Sequence, residues 1–171
     1  MYNSNKETFT KIYKNSSDSC STDEHNCCTP APKSKHECPK CSKKAKEVLE
    51  KTVKNLVNMD LDYYSGFHYC KTPSCEIIYF KENKLLTQKD LKVIVGLKDN
   101  ATPATMCYCF NWTKEKIKTE LQETNETTAL EDIKDKMENL GCSCEILNPS
   151  GGCCLGDTKK AVKEIKLELK Q

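Results

Sequence analysis

The chain has 171 residues, 37% of them hydrophobic and 30% charged, with 13 cysteines; that is enough for one domain or two small ones, but not for a large core. Its net charge is +2, and all 27 basic residues are lysine; near-neutrality without arginine, the usual bidentate reader of guanine, argues against a nucleic-acid partner. No run is long and apolar enough to span a membrane and Met1–Glu7 lacks the apolar segment of a signal peptide, so the expectation is a cytoplasmic protein whose cysteines stay reduced and bind metal rather than form disulfides.

Residues 1–34 are polar and rich in Asn, Ser, Thr and Lys, and the stretch closes on Pro30-Ala31-Pro32. Such a composition predicts a disordered tail. It carries Cys20, Cys27 and Cys28, with His25 between them. Thiolates select soft ions, so these three are candidate ligands for Cu(I) or a similar metal; the plain alternative is three reduced thiols on a tail.

Residues 35–100 are expected to form a small, zinc-ribbon-like β unit. Cys38-Pro39-Lys40-Cys41 is a C-P-x-C knuckle with two thiols on one turn, and Cys70 and Cys75 bracket a second turn. Two turn-borne pairs suit a tetrahedral zinc site. Between them, Ala45, Val48, Leu49, Thr52, Val53, Leu56 and Val57 fit either one helix or a strand over 46–50 followed by a short helix capped by Thr52. The aromatic and β-branched runs 63–69 and 76–80 read as strands flanking the Cys70/Cys75 turn, which places metal ligands at the tip of a hairpin. Residues 92–97 suggest another short strand. His36 and His68 are alternative ligands, although four cysteines already suffice.

Residues 101–171 are expected to be mostly helical, giving an α+β chain overall. Thr113 is a good N-cap, with Ile117 and Leu121 on the apolar face of the helix it opens. Thr128-Ala129-Leu130-Glu131 has capping-box spacing. Leu130, Ile133, Met137 and Leu140 are the expected inward stripe of the second helix, with Gly141 at its end. Residues 146–152 read as a loop, and a last helix runs from about Cys154 to Leu169 with Ala161, Ile165 and Leu167 or Leu169 inward. Cys107 and Cys109 share a face of an extended segment, and two thiolates side by side suit a [2Fe–2S] cluster. Further thiols follow at Cys142, Cys144, Cys153 and Cys154, and the Ser150-Gly151-Gly152 loop can bring backbone amides toward inorganic sulfide.

These elements, in this order, resemble the N-terminal domain of the archaeal-type CopZ copper chaperones. The likeness covers residues 36–155 and rests on Cys38-Pro39-Lys40-Cys41, Tyr69-Cys70, Ser74-Cys75 with Glu76–Phe80, Leu91-Lys92, Val95-Gly96, Cys107-Tyr108-Cys109, and Cys144 followed by Asn148–Cys154. The second half is also similar to the bacterioferritin-associated ferredoxin module. The resemblance implies zinc on Cys38, Cys41, Cys70 and Cys75. It implies a [2Fe–2S] cluster on Cys107, Cys109, Cys144 and Cys154, with Cys153 as the alternative to Cys154 and Cys142 as a spare. The implied function is a one-electron redox role in copper or other soft-metal handling, with a copper chaperone or transporter as partner. Full-length relatives continue into a domain with an M-x-C-x-x-C copper loop. That motif does not occur here, so a copper role is expected to use Cys20, Cys27 and Cys28 or a separate protein. No acid–base or nucleophilic constellation marks a conventional enzyme. The competing reading is a structural module with zinc in both cysteine sets.

Overall fold

The computed structural model describes residues 36–170; the tail thiols Cys20, Cys27 and Cys28 therefore lie outside the described residues. At its centre is the hairpin that the aromatic runs predict. Strand β1 (Lys46–Glu47) is followed by helix α1 (Glu50–Leu56), then by β2 (His68–Tyr69), β3 (Tyr79–Lys81) and β4 (Lys84–Leu86). The four strands form one antiparallel sheet in sequence order, with Tyr69 opposite Tyr79 and His68 opposite Phe80. Large side chains meet in cross-strand pairs, which is where a short sheet gains its stability. Val53 and Leu56 of α1 close over this sheet with Val48, Phe67, Ile78 and Leu86 to make the first core.

Of the two readings open for 45–57, the structure takes strand then helix. Thr52 lies buried inside α1 rather than capping it, and its hydroxyl donates to the Glu145 carbonyl. Residues 92–97 do not form a strand. Their backbone is satisfied otherwise: the Lys92 N–H bonds to the Leu56 carbonyl, the Gln88 side chain bonds both the Val93 carbonyl and the Val95 N–H, and the Gly96 N–H bonds to the Tyr108 hydroxyl. Once side chains take these groups, no ladder partner is required.

The second half begins with a two-stranded ribbon, β5 (Thr105–Cys107) and β6 (Trp112–Thr113). Helices α2 (Lys114–Thr124), α3 (Ala129–Leu140), α4 (Cys144–Leu147) and α5 (Leu155–Glu168) follow. Thr113 caps α2 by accepting the Lys116 N–H, as its position predicts. Thr128 makes no capping bond; its hydroxyl and N–H both donate to the Glu120 carboxylate of α2, which outcompetes the local cap. Gly141 ends α3 at φ 73°, where the N–H of this residue reaches the Met137 carbonyl. Leu140, expected inward, is 76% exposed, and Leu167 and Leu169 also face solvent. Met106, Ile117, Leu121, Ala129, Ala161, Val162 and Ile165 form the second core.

The halves are sewn together along one seam. Helix α1 packs on α4. Besides the Thr52 bond, Asn55 donates to the Ile146 carbonyl, Lys46 to the Ser150 carbonyl and the buried Tyr79 hydroxyl to the Pro149 carbonyl. A tight approach elsewhere explains Gly96: a Cβ there would lie 2.0 Å from the Thr105 carbonyl oxygen and 2.4 Å from its nitrogen, both backbone atoms that cannot swing away. Gly96→Ala is expected to cost about 3 kcal/mol, at the upper end of overpacking; an unchanged midpoint in urea unfolding would refute that. Among the described residues no helix is long and apolar enough to cross a membrane.

Candidate metal centres

Two tight turns build the first centre. In the knuckle, the Cys38 N–H bonds to the Lys43 carbonyl and the Ser42 N–H returns to the Cys38 carbonyl, while Glu37 bridges to Lys44. In the hairpin tip, the Cys70 N–H bonds to the Ile78 carbonyl and the Cys75 N–H to the Thr72 carbonyl. The result gathers the sulfurs of Cys38, Cys41, Cys70 and Cys75 within 4.8 Å of one another. Cys38 and Cys75 are 3.8 Å apart, and Cys41 and Cys70 are 3.6 Å apart. A tetrahedron with zinc–sulfur bonds of about 2.3 Å has edges of about 3.8 Å, so the donor set fits that ion in both chemistry and size.

The electrostatics of this set favour a cation. Burial pushes the Cys75 thiol up to about 12, and burial also raises Cys70. Burial opposes ionisation of Cys41 too, but hydrogen bonds from the Thr72 hydroxyl, the Lys43 N–H and the Cys70 and Cys38 thiols outweigh it and hold Cys41 at about 6. Four crowded sulfurs cannot all ionise unless a metal neutralises them. One positive group already faces the loop that carries Cys70 and Cys75. Lys98 Nζ donates to the carbonyls of Cys70, Thr72 and Ile77 at 2.9–3.0 Å, and the Asp99 N–H bonds to Pro73 beside it. Sequence reading missed Lys98, because its partners are main-chain carbonyls that leave no side-chain motif. Thr72, whose hydroxyl lies 3.3 Å from the Cys41 sulfur, was signalled only by its place inside the Cys70–Cys75 turn. His36 and His68 bond to each other at 3.0 Å, and His68 stacks on Phe80, so neither joins the thiol set.

The second centre is assembled differently. Cys107 ends β5, and Cys109 lies in the turn that follows rather than in an extended segment. Both nevertheless reach one cluster with Cys144 and Cys154, covered by Phe110, Trp112, Ile133, Met137 and Leu155. Tyr108, between them, points away and its hydroxyl donates to the Ile94 carbonyl. The thiols fall into two pairs. Cys109 and Cys144 are 3.6 Å apart. Cys107 and Cys154 share a hydrogen bond, which together with backbone N–H groups of Phe110 and Cys109 brings Cys107 down to about 7 against the effect of burial; the same bond and burial raise Cys154. Among the described residues only the first quartet draws all its ligand atoms within 4.8 Å of one another, so this second set is more open than a mononuclear tetrahedral site.

Cys154 is buried at the N-cap of α5, whereas its neighbour Cys153 is exposed and lines a cavity of about 700 Å³ with Lys46 and Gly152. Cys142 is exposed as well. The amides of Ser150 and Gly151, expected near sulfide, are used inside their own loop, bonding to the Asn148 side chain and carbonyl.

Residues 35–92 match the family model of the CopZ zinc binding domain. The copper chaperone CopZ of Archaeoglobus fulgidus is 31% identical over 144 residues, covering 77% of this chain and 69% of that protein. The X-ray structure of the Archaeoglobus fulgidus CopZ N-terminal domain is similar with a TM-score of 0.61 at 30% identity, over 72% of this chain and 95% of that one. Relatedness of this extent, on a fold that brings Cys38, Cys41, Cys70 and Cys75 together, shows that the chain belongs to the CopZ family and carries its zinc-binding domain.

Proposed function

We propose that the chain is a two-centre metalloprotein with a one-electron redox role in copper or other soft-metal handling. In this reading Cys38, Cys41, Cys70 and Cys75 hold a structural zinc within residues 35–100. Cys107, Cys109, Cys144 and Cys154 hold a [2Fe–2S] cluster within residues 101–171. The copper association comes from the named function of the Archaeoglobus fulgidus relative. Cys20, Cys27 and Cys28 are the candidate Cu(I) ligands of this chain, and a copper chaperone or transporter is the candidate partner.

The observation that carries the reading is the gathering of Cys107, Cys109, Cys144 and Cys154 into one buried cluster, with Cys109 and Cys144 3.6 Å apart. A dinuclear cluster spreads four thiolates over two irons, so a four-cysteine set more open than one compact tetrahedron suits it. When bound, the cluster supplies reversible one-electron chemistry, directed to reducing Cu(II) to Cu(I) or to a partner protein. The chain's own part is to deliver four thiolates, to hold sulfur charge with the Cys109 and Phe110 N–H groups, and to exclude water with Phe110, Trp112, Met137 and Leu155. Zinc has no redox chemistry, so the first centre serves the fold.

Metal and inorganic sulfide analysis of protein purified without oxygen tests this. The expected content is two irons, two sulfides and one zinc per chain, with a visible band bleached by dithionite. Two zincs and no iron would overturn the redox reading and leave a structural zinc module.

A further inference from the structure

We infer that residues 94–99 form a two-headed clamp coupling the two thiol sets, with Lys98 and Tyr108 as its positioning residues, so that a metal held by one set tightens the other. The inference rests on the two-centre reading above, though not on which metal fills the second set.

One head grips the first set. Lys98 Nζ donates to the carbonyls of Cys70, Thr72 and Ile77, and the Asp99 N–H bonds to the Pro73 carbonyl, so both residues hold the loop between Cys70 and Cys75. The other head grips the second set. The Tyr108 hydroxyl, between Cys107 and Cys109, accepts the Gly96 N–H and donates to the Ile94 carbonyl, both at 2.9 Å. Gly96 also lies against the Thr105 backbone so closely that no side chain fits, which seats the clamp on β5 just before Cys107. The heads are held at a fixed spacing. The Lys98 N–H bonds back to the Val95 carbonyl at 3.0 Å, and the Ala101 N–H bonds to the Lys98 carbonyl. Val95 is buried in the first core, and Leu97 packs against the second.

Coupling needs an element with two states, not proximity alone. The loop between Cys70 and Cys75 is that element. With a metal, its sulfurs are drawn together and its carbonyls converge on Lys98. Without one, the crowded sulfurs part, the carbonyls lose their common focus, and Lys98 no longer anchors its turn. Ile94 and Gly96 then hold Tyr108 less firmly, and with it the turn that carries Cys109. By linkage the effect runs both ways.

The test is hydrogen exchange on the full chain purified without oxygen, read separately over residues 70–77 and 105–111, with circular dichroism and metal content recorded on the same samples. Tyr108→Phe removes only the hydroxyl. Besides loosening 105–111, it is expected to speed exchange about fivefold over 70–77, which holds none of that hydroxyl's hydrogen-bond partners. Lys98→Met is expected to act in the other direction, reaching 105–111 by a similar factor. In Lys98→Met/Tyr108→Phe neither segment should exchange faster than in the worse single variant, because both substitutions cut one connection. Ile165→Val, which loosens the second core away from the clamp, is expected to leave 70–77 unchanged. Single variants that disturb only their own segment overturn the inference. So do additive effects in the double variant, or an Ile165→Val effect on 70–77 equal to that of Tyr108→Phe, which would be general loosening. If either substitution prevents folding, Cys38→Ala makes the test with the clamp intact. Exchange over 105–111 should then rise about tenfold while α2 around Ile117 is unchanged; an unaltered 105–111 refutes the coupling. Zinc in both sets with the cross-effects present overturns the redox reading alone. Iron and sulfide present without cross-effects overturn this inference alone.

Discussion

Lys98→Met is expected to loosen zinc about 10- to 100-fold, the usual effect of losing a group that supports metal ligands from outside. The substitution keeps an unbranched side chain but removes the charge that bonds the Cys70, Thr72 and Ile77 carbonyls. Those three carbonyls fix the curvature of the loop between Cys70 and Cys75, and so the separation of two ligands. Four thiolates around a dication leave net negative charge in a site of lowered dielectric, and Lys98 is the cation bonded to that loop. A charged hydrogen bond contributes about 1.5–3 kcal/mol; with Lys98 half-buried and partly screened by water, the trio is expected to be worth about 3 kcal/mol in total. Competition against a chromogenic chelator and a urea titration measure the two effects. Wild-type zinc retention together with a wild-type unfolding midpoint would show that Lys98 is incidental.

Cys38→Ala, or zinc removal by a strong chelator, is expected to dissolve the order of the knuckle, residues 36–45, and of the hairpin tip, residues 70–77. The local core there is small: Cys38, Ala45, Cys70, Cys75, Ile77 and Phe80, half of them thiols. Zinc bound to four thiolates supplies on the order of 10 kcal/mol, comparable with the whole stability of an ordinary domain, about 5–15 kcal/mol. Without it, four crowded sulfurs, of which Cys70 and Cys75 hold their protons more tightly than an ordinary thiol, lose the ion that draws them together. Hydrogen exchange should show lost protection in the knuckle and the hairpin tip, while β3, with Tyr79 in the first core, and α2 and α5 around Ile117, Ala161 and Ile165 stay protected. Unchanged protection in the knuckle after zinc removal would mean that hydrophobic packing alone holds the turns.

The grouping of Cys38, Cys41, Cys70 and Cys75 was legible because its geometry is local. C-P-x-C fixes one turn, and the aromatic runs on either side of Cys70 and Cys75 fix the other. The Thr113 cap was legible for the same reason. Reading failed where a distant residue competed. Glu120 took the hydroxyl and N–H of Thr128, and Gln88 took the backbone of 93–95, where the β-branched residues had suggested a strand. Helix α4 has only four residues before Asn148-Pro149, too few to show a period. Leu140 fitted the stripe of α3, but the helix ends there and its side chain faces solvent while Met137 turns toward the second thiol set. The two-pair arrangement of the second thiol set was not legible at all, since it depends on how α3 and α5 meet β5.

The seam that joins the halves also has a direction in time. Chains emerge from the ribosome N-terminus first, and domains can begin to fold as they emerge. Lys46, Thr52, Asn55 and Tyr79 all precede the backbone they grip, which is 145–150. Cys38, Cys41, Cys70 and Cys75 are all translated before Cys107. The earlier half can therefore recruit its ion and set as a rigid mould while the later cysteines are still being made. The 145–150 segment, which lies between Cys144 and Cys154, then emerges onto a surface already shaped to receive it, so vectorial synthesis itself discourages the two thiol sets from trapping metal in the wrong combination.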